Sequence, residues 1–290
     1  MYSAPFDYHR ATSLADAQRL LTEHPGARLM AGGHSLIPLM KLRLANPPAV
    51  IDIGRVAEMR GISSSGGTIR IGALTAHAEL AASNEIRMSA RALAEAASLV
   101  GDPAVRNRGT IGGNIAHADP ASDLPAALVA LDAQITAVGP KGTRTIPAAE
   151  FFIGVMTTAL GGDEVVAEVL VPVSGSGQGS AYVKFAHPAS RYAVIGAAAV
   201  ISVKNGSCSA ARVALGGLVS HPTRVAKVEG ALVGTPLNAA AIDVAARLAP
   251  AELGDRAIGD LFASAEYRAA VVPVYISRAV ASAAARAGLA

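Results

Sequence analysis

Two short segments set glycine pairs beside polar donors. The first, LMAGGHSLIPLMKLR, ends an apolar run on Gly32-Gly33 and then supplies His34 and Ser35. The second, NRGTIGGNIAHADPASD, sets Thr110 before Gly112-Gly113 and Asn114 after it. Successive backbone N–H groups in a tight loop form an anion-binding concavity, and glycine lets that backbone reach phosphate oxygens. Two such loops could grip both phosphates of a dinucleotide, with Ser35, Thr110 and Asn114 as further donors. A lone glycine pair is more often only a tight turn, but a small polar residue follows each pair here. Asp123 comes nine residues after Asn114. It is placed either to accept from sugar hydroxyls or to cap the helix it begins, and the spacing favours neither role.

Other candidate motifs carry less. In GSGQG a dinucleotide fingerprint would need its third glycine where Ser180 stands, with a helix following rather than a strand. GPKGT lacks the P-loop spacing and reads as a hairpin tip. The seven histidines show no metal-ligand spacing. His34 and His117 fall in the glycine segments, and the others read as surface or core. GHSLI has the wrong shape for a nucleophile elbow.

The elements that must hold these segments follow from periodicity and punctuation. Ser13 and Asp16 form a capping-box-like start to a helix that stops near Pro25-Gly26. A strand runs into Gly32-Gly33, and AVIDIG is another, giving a small strand–helix–strand lobe. TIRIGA reads as a strand, followed by a short helix from Thr75 and one alanine-rich helix from about Arg87 to Val100. The Gly112-Gly113 segment reads as a loop before a helix at Asp123 to Leu131. AQITAVGPKGTRTI is a hairpin around Gly139 to Gly142, and EVVAEVLVP a strand. SGSGQGS joins lobes or turns a hairpin. Beyond it come the strands AYVKFAH, AVIGAAAVISV and ARVALGGL, with Asn205-Gly206 as a hairpin turn. The stretch from Arg224 to Ala290 reads as alanine-rich helix, in which Pro273 kinks the last helix or marks its start.

Composition narrows the function classes. A chain of 290 residues is long enough for two domains, or one domain with lobes, around a sizeable core. Hydrophobic residues make up 51% and charged residues 16%, so disorder is excluded. Aromatics are scarce and tryptophan is absent, which removes the stacking surfaces of a single-strand nucleic-acid binder. One cysteine, Cys208, excludes an internal disulfide, a zinc ribbon and an iron–sulfur cluster held by this chain alone. With no signal-peptide layout and no apolar run of membrane-spanning length, the chain is expected to be soluble and cytoplasmic.

Several longer stretches carry a family resemblance: FDYHRATSLADA, AGGHSLIPLMKLRLANP, VRNRGTIGGNIAHADPASDLPAALVALDA, AYVKFAHPASRYAVIGAAA and SAEYRAAVVPVYISRAV. Over essentially its full length the chain resembles the FAD-binding medium subunit of the molybdenum hydroxylases, the family of carbon monoxide dehydrogenase, xanthine dehydrogenase and several N-heterocycle hydroxylases. The resemblance implies an α+β, vanillyl-alcohol-oxidase (PCMH)-type FAD-binding fold. Residues 1–175 would form the FAD-binding domain, with lobes at about 1–56 and 57–175. Residues 176–290 would form a C-terminal lobe of antiparallel sheet and helices, closing over the flavin.

The resemblance also assigns residues. Ala31, Gly32, Gly33, His34, Ser35 and Leu36 would bind the FAD pyrophosphate together with Thr110, Ile111, Gly112, Gly113 and Asn114. Asp123 would lie at the ribose end and Tyr192 against the flavin ring; Lys184 matches a lysine on the preceding strand. FAD would be non-covalent, and no residue of this chain would hydroxylate substrate. A large partner subunit would carry the molybdenum cofactor and a small one two [2Fe-2S] clusters, in a dimer of heterotrimers. Electrons would leave the flavin to quinone, NAD or dioxygen. Two rivals remain: a non-redox dinucleotide-binding module and a stand-alone FAD oxidase.

Overall fold

The computed structural model describes residues 2–288. Near the N-terminus the strands Asp7–Arg10, Ala49–Asp52 and Arg28–Met30 lie side by side in that order, all parallel. The helix Leu14–Glu23 links the two outer strands, and Ser13 Oγ caps it by accepting from the Asp16 N–H at 3.0 Å. Parallel neighbours cannot be joined by a tight turn, so the chain leaves Met30 and returns at Ala49 through a long connection. That connection holds Gly32-Gly33, His34-Ser35 and the short helix Leu36–Lys41. The glycine pair thus lies beyond the carboxyl end of a strand, where open parallel sheets place their ligands.

A second, antiparallel sheet orders its strands Ile62–Ser65, Thr68–Gly72, Val165–Pro172, Gln134–Gly139 and Gly142–Pro147. The third is antiparallel too: Gln178–Ala186, Ala193–Lys204, Ser207–Gly216 and Thr223–Arg224. Asn205 and Gly206 turn its central hairpin with φ of 53° and 74°, the left-handed pair that a two-residue loop needs. Side chains alternate across the central strand. Ala198 and Val200 enter the core shared with the first half of the chain, while Ala197, Ala199 and Ile201 enter a second core. The helix Ala265–Arg286 covers that second face, and the helices Arg91–Leu99 and Leu124–Ala130 lie on the first. The arrangement is the α+β architecture expected of the chain.

Four local expectations need correction. The Gly112-Gly113 segment is no loop: it is the first turn of a helix, Ile111–His117, capped by Thr110 and stopped by Ala118 at φ 52°. The stretch from Arg87 to Val100 splits into Asn84–Ser89 and Arg91–Leu99, because Ala90 adopts φ −148° and ψ 54° between them. Pro273 does not begin the last helix, which starts eight residues earlier at Ala265 and runs through it. The stretch from Arg224 breaks into Ala226–Leu232, Ala239–Ala246, Ala249–Leu253 and the last helix, with irregular chain around Gly259 between the final two.

Candidate cofactor site

The two glycine segments face one cavity of about 890 Å³, within the roughly 300–1,000 Å³ usual for small-molecule sites. Its walls come from all three sheets' neighbourhoods: Ala31 to Leu36 from the first, Thr110, Gly112, Gly113, Asn114 and Asp123 from the second, and Ser190 to Tyr192 from the third. The glycines do not act alike. A Cβ on Gly32 would lie 2.7 Å from the Arg108 carbonyl carbon and 2.9 Å from Gly109 Cα. A Cβ on Gly112 would lie 2.8 Å from the Ala73 carbonyl oxygen. The missing Cβ of each therefore makes room for neighbouring backbone rather than for a ligand. Gly33 is needed for its φ of +75°.

Hydrogen bonding separates the two segments further. In the second, Ile111, Gly112, Gly113 and Asn114 donate their N–H groups to Thr75 O, Ala73 O, Thr110 Oγ1 and Thr110 O, at 3.0, 2.8, 3.2 and 2.9 Å. The expectation that both segments offer a free N–H concavity is corrected here: the Thr110 cap, the helix backbone and the neighbouring carbonyls of Ala73 and Thr75 use up the second set. In the first, the N–H groups of Gly32, Gly33, His34 and Ser35 meet no acceptor among the described residues, and Ser35 Oγ makes no cap bond. Free donors thus cluster on the first segment. Asn114 also lines the cavity, its Oδ1 accepting from Ser122 Oγ at 2.8 Å. The Ile111 side chain is wholly buried in the core and can offer a ligand nothing.

Asp123 does not cap the helix it precedes. Its Oδ1 accepts from Tyr182 Oη at 2.7 Å and its Oδ2 from Lys184 Nζ at 2.8 Å. Lys184 also donates to Leu99 O at 3.0 Å. All three side chains are buried. Desolvation raises the Asp123 pKa against the opposing pull of Lys184, and burial beside Asp123 raises that of Tyr182. With carboxylate and ammonium 2.8 Å apart and both hydrogen-bonded, the ionised pair is the state this geometry supports. Asp123 borders the cavity, whereas Lys184 stands behind it.

Tyr192 lies outside the strand, on the turn that precedes Ala193, and is 46% exposed. That exposure excludes a core-packing role and leaves the ring free in the cavity wall. Its hydroxyl pKa is raised, by partial burial first and by Asp119 and Asp123 nearby.

Sequence reasoning missed His77. It opens the short helix His77–Ala82 and is only 3% exposed, yet it lines the cavity. Neither ring nitrogen has a hydrogen-bond partner among the described residues, and Nδ1 is sealed from solvent. Burial, then Arg106 and His34, lower its pKa to about 4, so the ring is neutral at pH 7. The visible signal was a histidine next to a helix start, which is too common to single out.

Free N–H donors lining a cavity of this size, with an exposed aromatic ring also in its wall, fit a dinucleotide carrying a planar ring. The family model described as "FAD binding domain in molybdopterin dehydrogenase" matches residues 4–174, and "CO dehydrogenase flavoprotein C-terminal domain" matches 180–283. The carbon monoxide dehydrogenase medium chain of Hydrogenophaga pseudoflava is 40% identical over 97% of this chain and 98% of its own. The solved carbon monoxide dehydrogenase from that organism superposes with a TM-score of 0.94 at 41% identity, covering 99% of each chain. Quinoline 2-oxidoreductase from Pseudomonas putida 86 gives 0.92 at 30% identity, again covering 99% of each. The chain is a member of the FAD-binding, medium-chain flavoprotein family of the molybdenum hydroxylases.

Proposed function

We propose that this chain is the electron-exit subunit of a molybdenum-containing hydroxylase or dehydrogenase. FAD would lie non-covalently in the cavity described above, between a FAD-binding domain of residues 1–175 and a C-terminal domain of residues 176–290. The observation that carries the reading is the row of free N–H groups from Gly32 to Ser35, which lines the same cavity as the Ile111–His117 helix packed beside it. The N–H row and Ser35 would hold the diphosphate, Asn114 would add an amide, and Tyr192 would lie against the flavin ring. Asp123, at the ribose end, and Lys184 behind it would keep the cavity wall in place through their mutual ion pair. When bound, the flavin supplies the chemistry of accepting electrons singly and releasing them singly or in pairs.

The lone cysteine, Cys208, cannot hold an iron–sulfur cluster, which is consistent with clusters carried by a partner. Two [2Fe-2S] clusters on a small partner would deliver electrons from a molybdenum centre on a large one, in a cytoplasmic dimer of heterotrimers. Quinone, NAD or dioxygen would take them from the flavin. Relatives at 30–41% identity are named for carbon monoxide and for quinoline, which supports a reading in which substrate choice would lie with another subunit. No helix among the described residues is long and apolar enough to cross a membrane.

Acid precipitation of the purified complex should release all flavin, and that flavin should be FAD. Colour left on the precipitated chain would overturn the non-covalent assignment. Purification without a molybdenum-bearing and a cluster-bearing chain, from cells making all three, would favour a stand-alone oxidase.

A further inference from the structure

His77 is a buried imidazole with no partner for either nitrogen among the described residues, a condition that native proteins rarely leave unexplained. Its ring stands behind the seam where the two glycine segments meet. The His77 N–H donates to Gly109 O at 3.0 Å, and a Cβ on Gly109 would lie 2.9 Å from His77 Nε2. Gly109 is also the residue against which Gly32 packs, so the free N–H row starts one backbone layer from the imidazole. Of the two nitrogens only Nδ1 is sealed. A sealed N–H is rarer in proteins than a sealed acceptor, so the single proton of the neutral ring belongs on Nε2, the nitrogen that is not sealed. A neutral ring is also what burial and the neighbouring Arg106 and His34 enforce.

We propose that His77 is a further residue of the dinucleotide site, its Nε2–H donating to an oxygen of the diphosphate held on the N–H groups of Gly32 to Ser35. The inference rests on the FAD reading above and adds one residue to it, from a helix that neither glycine motif includes. It explains why an imidazole is kept at a buried position where an aliphatic side chain would cost less. A diphosphate oxygen supplies the missing acceptor, and the bond gains from the charge on that acceptor.

The test uses the full chain in its complex, stripped of flavin, and titrates FAD and ADP separately; ADP carries the diphosphate without the flavin. Three variants distinguish a ligand contact from packing. His77→Leu removes both nitrogens. His77→Gln carries its amide out to the place of Nε2, and His77→Asn stops at that of Nδ1. A lost hydrogen bond to a charged group should weaken binding about ten- to hundredfold in the Leu and Asn variants, for FAD and ADP alike. The Gln variant should restore most of that loss. The Leu variant without ligand should melt no lower than the unaltered chain, because it removes an unsatisfied buried group. Unchanged FAD affinity in both Leu and Asn variants would overturn the inference alone. So would a loss confined to FAD, which would place His77 at the flavin end, or equal losses in Gln and Asn. If the Leu variant fails to fold, the contrast between Gln and Asn still decides. No FAD binding by the unaltered chain would instead overturn the flavin reading, and this inference with it.

Discussion

Gly32 and Gly33 are neighbours with different physical duties, and substitution should separate them. Alanine at 32 would force its Cβ into the Arg108–Gly109 backbone, which has no rotamer to yield. Overpacking of that kind costs about 1–3 kcal/mol and would pry the free N–H row from the second segment. Alanine at 33 would meet side chains alone, chiefly the Cδ1 end of Ile37 at 2.7 Å, and bear a left-handed φ that costs about 1–2 kcal/mol. Gly32→Ala should therefore lose more bound FAD than Gly33→Ala, as flavin stoichiometry after gel filtration would show; the reverse order would refute the seam. Tyr192→Ala should weaken FAD binding roughly two- to fifteen-fold, on about 0.5–1.5 kcal/mol for aromatic contact, and shift the flavin spectrum. Tyr192→Phe should keep most of the affinity, because the ring face makes the contact. An alanine variant with unchanged affinity and spectrum would remove Tyr192 from the site. The sequence marks where Cβ atoms are missing but not what fills the space, so it could locate both glycine pairs and still misjudge which of them serve the ligand.

At the scale of elements, the buried set Asp123, Tyr182 and Lys184 ties the helix Leu124–Ala130 to the strand Gln178–Ala186 across 59 and 61 residues of sequence. Lys184→Met should leave the Asp123 carboxylate buried without its counter-charge, at a cost of about 3–5 kcal/mol. Tyr182→Phe removes one bond to a charged acceptor, about 1.5–3 kcal/mol, and leaves Lys184 in place. Chemical denaturation should rank the two in that order; equal small losses would mean the pair is not ionised as its geometry indicates. The motif around Asp123 and the strand of Lys184 were both legible, because turn residues and apolar runs mark them locally. Their meeting was not, since a carboxylate and an ammonium so far apart in sequence carry no shared spacing. The Ile111–His117 helix was hidden for a different reason. Gly112 and Gly113 lower helix propensity, and only the Thr110 cap and the packing on Ala73 override it.

For the molecule as a whole, the proposed boundary near residue 175 is not a boundary in the core. Tyr182, Ala198, Val200 and Ala214 of the third sheet belong to the same buried cluster as Leu93, Leu124 and Leu128 of the first half. Near the end of the chain, Arg286 donates to Glu95 at 2.6 Å and to Ser180 O at 2.6 Å, while Glu95 accepts from the Tyr182 N–H at 2.9 Å. The last helix is thereby fixed to a helix of the first half through the strand between them. A sheet with one face in each core cannot lose either half without exposing an apolar surface, so the two halves should unfold together. Calorimetry of the isolated chain should show one transition. FAD at a hundred times its dissociation constant should stabilise the chain by about 2.7 kcal/mol. At roughly 2–4 °C per kcal/mol for chains approaching this size, that is an upward shift of about 5–10 °C in Tm. The whole transition should move, because a ligand seated on both halves stabilises their union. Two resolved transitions, with only the first responding to FAD, would show that residues 176–290 fold and melt on their own and take no part in holding the cofactor.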